Sequence, residues 1–248
     1  MRAHRRTSPQ IAFRVKRQSR ATIAFSAGWD YSDRSYRQAA RHLLTLREEG
    51  LLHEAAACNF DVEHLRELVV DEGLPFTANQ VQYSLVDRRP ENGMLAFAKE
   101  HGLHLACFGA VAGGLLSDKF LGQPPPSRSS LSTVSLRMYK ASLDRWSGGD
   151  WSLFQQLLYT LRAIADRHHT TIANVAVCWV LRQLGSGGGW VVLGVRDTTH
   201  LGEHKALAAM IAGGGTPIDD DDEAAIREVL DRGRPPAGDI WSHERGLA

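Results

Sequence analysis

The feature that most constrains this chain is a regular alternation of short apolar segments with amphipathic ones. Apolar residues spaced three or four apart predict helices, as in the stripe formed by Tyr36, Ala39, Ala40 and Leu43. Strands that alternate with helices are joined by right-handed crossovers and therefore pair in parallel. The sequence predicts an α/β fold, and both a doubly wound sheet and a (β/α)8 barrel fit this alternation. Five segments are predicted strands: 21–26, 53–58, 76–82, 103–108 and 190–195.

One stretch interrupts the alternation. Residues 109–150 contain the run PPPSRSSLSTVS and are far longer than an ordinary connection between a strand and a helix. We predict an irregular loop there, either functional or disordered.

Composition excludes several classes of protein. The 248 residues contain 43% hydrophobic residues, enough for a core, and no apolar run of about 18 residues that would predict a transmembrane helix. The three cysteines, Cys58, Cys107 and Cys178, lie in apolar segments, which predicts buried reduced thiols in a reducing compartment. A cytoplasmic location is therefore expected.

Charge is distributed unevenly. Residues 1–29 hold seven of the 29 basic residues and no acidic one, so residues 30–248 carry 22 basic and 28 acidic groups, a net charge of −6. A mildly acidic body is not typical of a nucleic-acid-binding protein. We treat residues 1–20 as a disordered basic segment and residues 21–248 as the folded domain. The basic segment has three interpretations: an organellar transit peptide, a phosphate-contacting arm, or a stretch without function.

Two segments carry candidate anion sites. FGAVAGGLL, residues 108–116, directly follows a predicted strand, so its backbone amides would face a pyrophosphate or simply form a turn. In VRDTTHLGEH, residues 195–204, Arg196 lies at the start of a helix, which suits a phosphate; the alternative is an ordinary cap beside a surface arginine.

His200 and His204 are four residues apart, but no third ligand is suitably spaced, so no metal site is predicted. The sequence also lacks the GxSxG and HExxH motifs of hydrolases.

Several segments together resemble a known family. CNFDVEHLREL, NQVQYSLVDRRPENGMLAFAKEHGLHL, FGAVAGGLLSDKFLG, IANVAVCWVL and VRDTTHLGEH are similar, in this order, to segments of the aldo-keto reductases, and the likeness spans roughly Phe25–Glu244. That family has a (β/α)8 barrel, binds extended NADPH at the carboxyl ends of the strands, and reduces aldehydes and ketones by hydride transfer. The resemblance therefore implies a partial (β/α)8 TIM barrel of about five parallel strands with surrounding helices.

The resemblance also assigns residues to the cofactor. Asn59 and Gln80 match residues that hold the nicotinamide carboxamide, Cys58 replaces a neighbouring Ser or Thr, and Phe108 stands where a Tyr often stacks on the nicotinamide. Arg196 matches the contact to the 2′-phosphate of NADP. The residues that match the pyrophosphate loop are Gly109, Val111, Gly113 and Gly114. On the adenine side, Glu203 matches a Glu of the family and His204 stands in place of an Asn.

The chain departs from the family in its catalytic residues. By this alignment it begins near the family's fourth strand, and the catalytic Asp, Tyr and Lys have no counterpart; the catalytic His aligns with Ala27 or Gly28. We therefore expect a truncated, inactive pseudoenzyme in which NADP binding is weak or lost. The alternatives are a non-catalytic module that binds NADP or a partner, and a truncated gene product. The expected partners are NADP(H) and small carbonyl compounds. We also expect the chain to self-associate through open barrel edges, and we expect it to bind neither nucleic acid nor a membrane.

Overall fold

The computed structural model describes residues 23–27, 31–32, 34–127, 129–131, 133–195, 198–213 and 216–246. The chain divides into two compact units. Unit 1 comprises Met1–Val81, Gly93–Ala106 and Gly238–Ala248, and unit 2 comprises Gln82–Asn92 and Cys107–Ala237. The basic segment 1–20 lies outside the described residues, so its predicted disorder stays a prediction.

All five predicted strands are present in the predicted order. They form one sheet in the order β1-β2-β3-β4-β5. The β1–β2 and β2–β3 pairs are parallel, with Phe25 opposite Ala56 and Ala57 opposite Asn79. The predicted α/β class with parallel pairing is confirmed, and within the described ranges the strands do not close into a barrel. Their bounds are β1 Ile23–Ala27, β2 Glu54–Cys58, β3 Ala78–Gln82, β4 His104–Phe108 and β5 Gly189–Val191.

Three helices belong to unit 1: α1 (Ser35–Glu48), α2 (Val62–Arg66) and α3 (Met94–Glu100). Helix α1 buries the predicted apolar stripe of Tyr36, Ala39, Ala40 and Leu43. Helix α2 begins where the Asp61 carboxylate accepts a hydrogen bond from the His64 backbone N–H at 2.9 Å, and it continues into a π-helical turn over Glu67–Asp71. A side-chain cap thus marks where α2 begins, whereas α1 and α3 begin without one.

Unit 2 contains five helices. They are α4 (Val134–Ser147), α5 (Trp151–Arg167), α6 (Ile172–Leu184), α7 (Leu201–Ile211) and α8 (Asp220–Leu230). Helices α5 and α6 each contribute a long buried face to the core of this unit. The acidic run that begins α8 is a capping box, in which Asp222 also accepts from His168 at 2.9 Å and forms an ion pair with Arg167.

The prediction of an irregular stretch over 109–150 is wrong for its last third, because α4 forms there. Thr133 caps this helix by accepting from the Leu136 backbone N–H at 3.0 Å. The buried residues of α4, namely Ser142, Leu143 and Trp146, all lie in its second half, so the apolar spacing that would predict a helix is short. The helix also follows a proline- and serine-rich run, which is typical of a loop. Helix α4 is held in place by the Trp146 indole, which donates to the Leu230 carbonyl at 3.0 Å.

The cysteines form no disulfide. Cys107 and Cys178 are buried as predicted, whereas Cys58 is half-buried at the end of β2. Burial raises the pKa of the Cys58 and Cys178 thiols to about 11 and that of Cys107 to about 12, so each is protonated at neutral pH. Within the part of the chain that the structure describes, no helix is both long and apolar enough to cross a membrane.

Candidate functional site

The residues that sequence reasoning assigns to a cofactor divide between the two units. Cys58, Asn59 and Gln80 belong to unit 1. Arg196 lies outside the described residues, so its assignment stays a prediction. The other seven belong to unit 2: Phe108, Gly109, Val111, Gly113, Gly114, Glu203 and His204.

In unit 1 the three predicted residues are adjacent at the carboxyl end of the sheet. Cys58 pairs with Gln80 across β2 and β3, and the Asn59 N–H donates to the Gln80 carbonyl at 2.8 Å. Asn59 is 3% exposed and has a left-handed backbone with φ 58°. Its side-chain Oδ1 has no hydrogen-bond partner among the described residues. A buried amide oxygen without a donor costs about 1–3 kcal/mol, so this atom is suited to accept from a ligand such as a carboxamide.

Arg245 fixes the backbone of Asn59, a role that sequence reasoning missed. Its guanidinium donates to the Asn59 carbonyl at 2.5 Å and to the Tyr31 hydroxyl at 3.0 Å. The same guanidinium lies 4.4 Å from the centroid of the Tyr31 ring, whose other neighbour is the His64 ring, stacked at 3.5 Å. Arg245 is 186 residues from Asn59, so no local pattern signals this contact.

In unit 2 the seven predicted residues line one cavity of about 860 Å³. Residues 109–114, called the glycine loop below, form part of its wall directly after β4. Helices α6 and α7 contribute Asn174, Val177, Glu203 and Leu207. The structure therefore brings together the two segments that the sequence marked as anion sites, although they are about 90 residues apart.

The glycine loop presents unpaired donors. The loop closes on itself because the Ala112 N–H donates to the Gly109 carbonyl at 2.8 Å and the Gly114 N–H to the Val111 carbonyl at 2.9 Å. The N–H groups of Gly109, Ala110 and Val111 have no acceptor in the described part of the chain. The three residues all line the cavity, and successive backbone N–H groups without an acceptor are donors of the kind that bind anions in proteins. The sequence left two interpretations of this segment open, a turn and a phosphate site. The internal hydrogen bonds are those of a turn, and the N–H groups without an acceptor suit a phosphate site.

The cavity wall also carries charged and titratable side chains. Lys119, His200 and His204 line it, together with two acidic residues. Both acids are engaged. Asp118 forms an ion pair with Arg162 and accepts from the Ile172 N–H at 3.2 Å. Glu203 lies 3.1 Å from His200 Nδ1. Each of the two acids thus has a polar partner within hydrogen-bond distance, and among the described residues no group of three potential metal ligands is present.

Sequence reasoning also missed Tyr139, which lines the cavity from α4. Burial raises the pKa of its phenol, and the nearby Asp87 carboxylate raises it further, so the hydroxyl is protonated at neutral pH. Tyr139 lies in the stretch that the sequence marked as irregular, so no helical spacing pointed to it.

Comparisons with known proteins identify the family of this chain. The sequence model of the Aldo/keto reductase family matches residues 16–231. Flagellar radial spoke protein 5 of Chlamydomonas reinhardtii is 30% identical over 122 residues, which are 49% of this chain and 23% of that protein. The NADH-specific methylglyoxal reductase of Escherichia coli is 24% identical over 143 residues, 56% of this chain and 39% of that enzyme.

Solved structures of the same fold are similar in three dimensions. The glycerol dehydrogenase of Gluconobacter oxydans has a TM-score of 0.69 at 19% identity, covering 87% of this chain and 60% of that enzyme. An aldo/keto reductase of Klebsiella pneumoniae, solved with NADP and acetate, has a TM-score of 0.58 at 15% identity, covering 88% of this chain and 61% of that protein. The chain thus spans about 60% of the length of these two structures and less than half of the two curated relatives.

Proposed function

Because this chain belongs to the aldo/keto reductase family, we propose that the cavity of unit 2 binds the adenosine and pyrophosphate portion of NADP(H). The observation that supports the proposal is that Gly109, Ala110 and Val111, whose backbone N–H groups have no acceptor among the described residues, all line this cavity. A volume of about 860 Å³ falls within the ordinary range of small-molecule sites. When bound, NADPH supplies a hydride to a carbonyl carbon.

The residues of the cavity divide the binding between them. The glycine loop would donate hydrogen bonds to the pyrophosphate, and Lys119 would add positive charge close by. Glu203 and His204, on the first turn of α7, are the predicted adenine contacts. The assignment of Asn59 and Gln80 to the nicotinamide carboxamide and of Arg196 to the 2′-phosphate stays a prediction from the family resemblance.

Filling the cavity tests the proposal. Ala173, at the start of α6, lines the cavity, whereas Ala163 is an exposed residue of α5. We expect Ala173→Trp to weaken NADP binding at least tenfold because the indole occupies the ligand's volume, and Ala163→Trp to bind as the unchanged chain does. Titration calorimetry measures both. If Ala173→Trp binds NADP with unchanged affinity, the ligand does not occupy this cavity.

The same proposal extends to the chemistry of this polypeptide. The family resemblance predicts no counterpart of the catalytic Asp, Tyr, Lys or His in these 248 residues, so we propose that the polypeptide by itself binds NADP(H) without reducing carbonyl compounds. A second candidate, a non-catalytic module that binds a partner protein, is favoured by the 30% identity to a flagellar radial spoke protein. A partner-binding module with no cofactor would show no heat of binding for either NADP or NADPH.

We further propose that the chain self-associates. Strands β1 and β5 end the sheet order, and apolar side chains near β5 are exposed, with Val192 41% and Val195 66% accessible. Unpaired strand edges beside apolar side chains favour edge-to-edge association. We expect light scattering at micromolar concentration to show species larger than the 27.4 kDa chain, and Val195→Lys to reduce them. A uniform monomer of the unchanged chain would contradict this prediction.

A further inference from the structure

We propose that Tyr139 determines which phosphate-bearing ligands reach the glycine loop, because its ring covers that loop and a ligand has to displace it. This inference rests on the proposed function of the cavity. It assigns a specificity-determining role to a side chain that lies between two of the segments quoted for the family resemblance, FGAVAGGLLSDKFLG and IANVAVCWVL.

The ring of Tyr139 lies directly on two glycines. A methyl group built on Gly109 would lie 2.6 Å from Tyr139 Cε1, and one built on Gly113 would lie 2.6 Å from Cδ2. These two ring atoms are on opposite sides of the phenol, so the ring spans the loop from one glycine to the other. Both glycines have left-handed backbones, with φ 74° and 65°. Any larger residue at either position would be strained and would also push the ring away.

The ring is held by contact alone. No described residue forms a hydrogen bond with the Tyr139 hydroxyl, and the side chain is half-buried. The helix that carries it is anchored elsewhere, because the Trp146 indole donates to the Leu230 carbonyl and the Arg234 N–H donates to the Trp146 carbonyl at 2.7 Å. A change in the side-chain rotamer therefore uncovers the glycine loop while α4 stays in place.

This arrangement discriminates between ligands by size. Inorganic pyrophosphate contacts the loop alone, so the whole cost of displacing the ring reduces its affinity. Displacing the ring costs a dinucleotide the same free energy, but the displaced phenol can pack against an aromatic ring of the dinucleotide, which pyrophosphate lacks, so the dinucleotide recovers part of that cost. The ring therefore favours the binding of a whole dinucleotide over that of small phosphate anions, which would otherwise compete with the dinucleotide for the glycine loop.

The experiment compares the affinities of inorganic pyrophosphate and NADP in four proteins by titration calorimetry. We expect Tyr139→Ala to bind pyrophosphate at least tenfold more tightly than the unchanged chain, which is about 1.4 kcal/mol, with a smaller gain for NADP. Tyr139→Phe keeps the ring and should retain the original ratio of the two dissociation constants. Tyr159→Ala, which removes an exposed tyrosine of α5, is the matched control. Tyr139→Leu serves if the alanine variant does not fold, since leucine is too small to reach both glycines.

The outcomes are distinct. An unchanged ratio in Tyr139→Ala, or the same change in Tyr139→Phe, overturns this inference. If Tyr139→Ala binds pyrophosphate more tightly but no protein binds NADP, the proposed function fails and the covering of the loop by Tyr139 stands. If no protein binds either ligand, both are overturned.

Discussion

Purified as the 248-residue polypeptide, the protein should show no detectable NADPH-dependent reduction of a generic aldehyde. Reduction of a carbonyl requires a proton donor beside the developing alkoxide, and a positioned general acid contributes about 10²–10⁴ in rate. Loss of the environment that stabilises the oxyanion lowers the rate further. The family resemblance predicts Ala27 or Gly28 at the position of the catalytic His, and neither residue donates a proton from its side chain.

The measurement is the consumption of NADPH at saturating aldehyde, followed by absorbance. Asn59→Ala is the informative variant because it removes a predicted nicotinamide contact and no proton donor. Turnover by the unchanged polypeptide that disappears in Asn59→Ala would show that this chain contains a catalytic acid that the family alignment does not identify. Turnover that survives in the variant would indicate a contaminating enzyme.

Arg196→Ala should remove the preference for NADP over NAD. A guanidinium that contacts the 2′-phosphate contributes a charge-assisted interaction of about 1.5–3 kcal/mol, which corresponds to about tenfold to a hundredfold in affinity. NAD has no 2′-phosphate, so the substitution should leave its affinity unchanged. We expect the affinity for NADP to be micromolar at best in the unchanged chain, because His204 replaces the Asn of the family at the adenine contact.

Titration calorimetry with both dinucleotides decides this prediction. Arg41→Ala removes the same charge from an exposed position where Arg41 pairs with Glu72, and it serves as the control. Equal affinity of the unchanged chain for NADP and NAD, or an unaltered preference in Arg196→Ala, would exclude Arg196 as a 2′-phosphate contact.

The sequence by itself determined the elements whose signals are local. Five strands lie where short apolar segments were found, and α1, α5 and α6 follow the spacing of their apolar residues. The glycine loop was located because it directly follows β4, and in parallel α/β folds the carboxyl ends of strands bear the binding loops. Such features depend on residues within about one turn of helix or one strand, so a single sequence contains them.

Tertiary structure decided what depends on distant residues. Helix α4 has a short buried face, because only its second half packs against the chain near Leu230, so periodicity did not reveal it. Tyr139 covers Gly109 and Gly113 from 30 and 26 positions along the chain, and Arg245 holds Asn59 from 186 positions away. Neither contact leaves a periodic or spacing signal, because the partners are brought together only by the packing of separate elements. For that reason the sequence located the glycine loop, whereas only the folded chain showed which side chain packs on it.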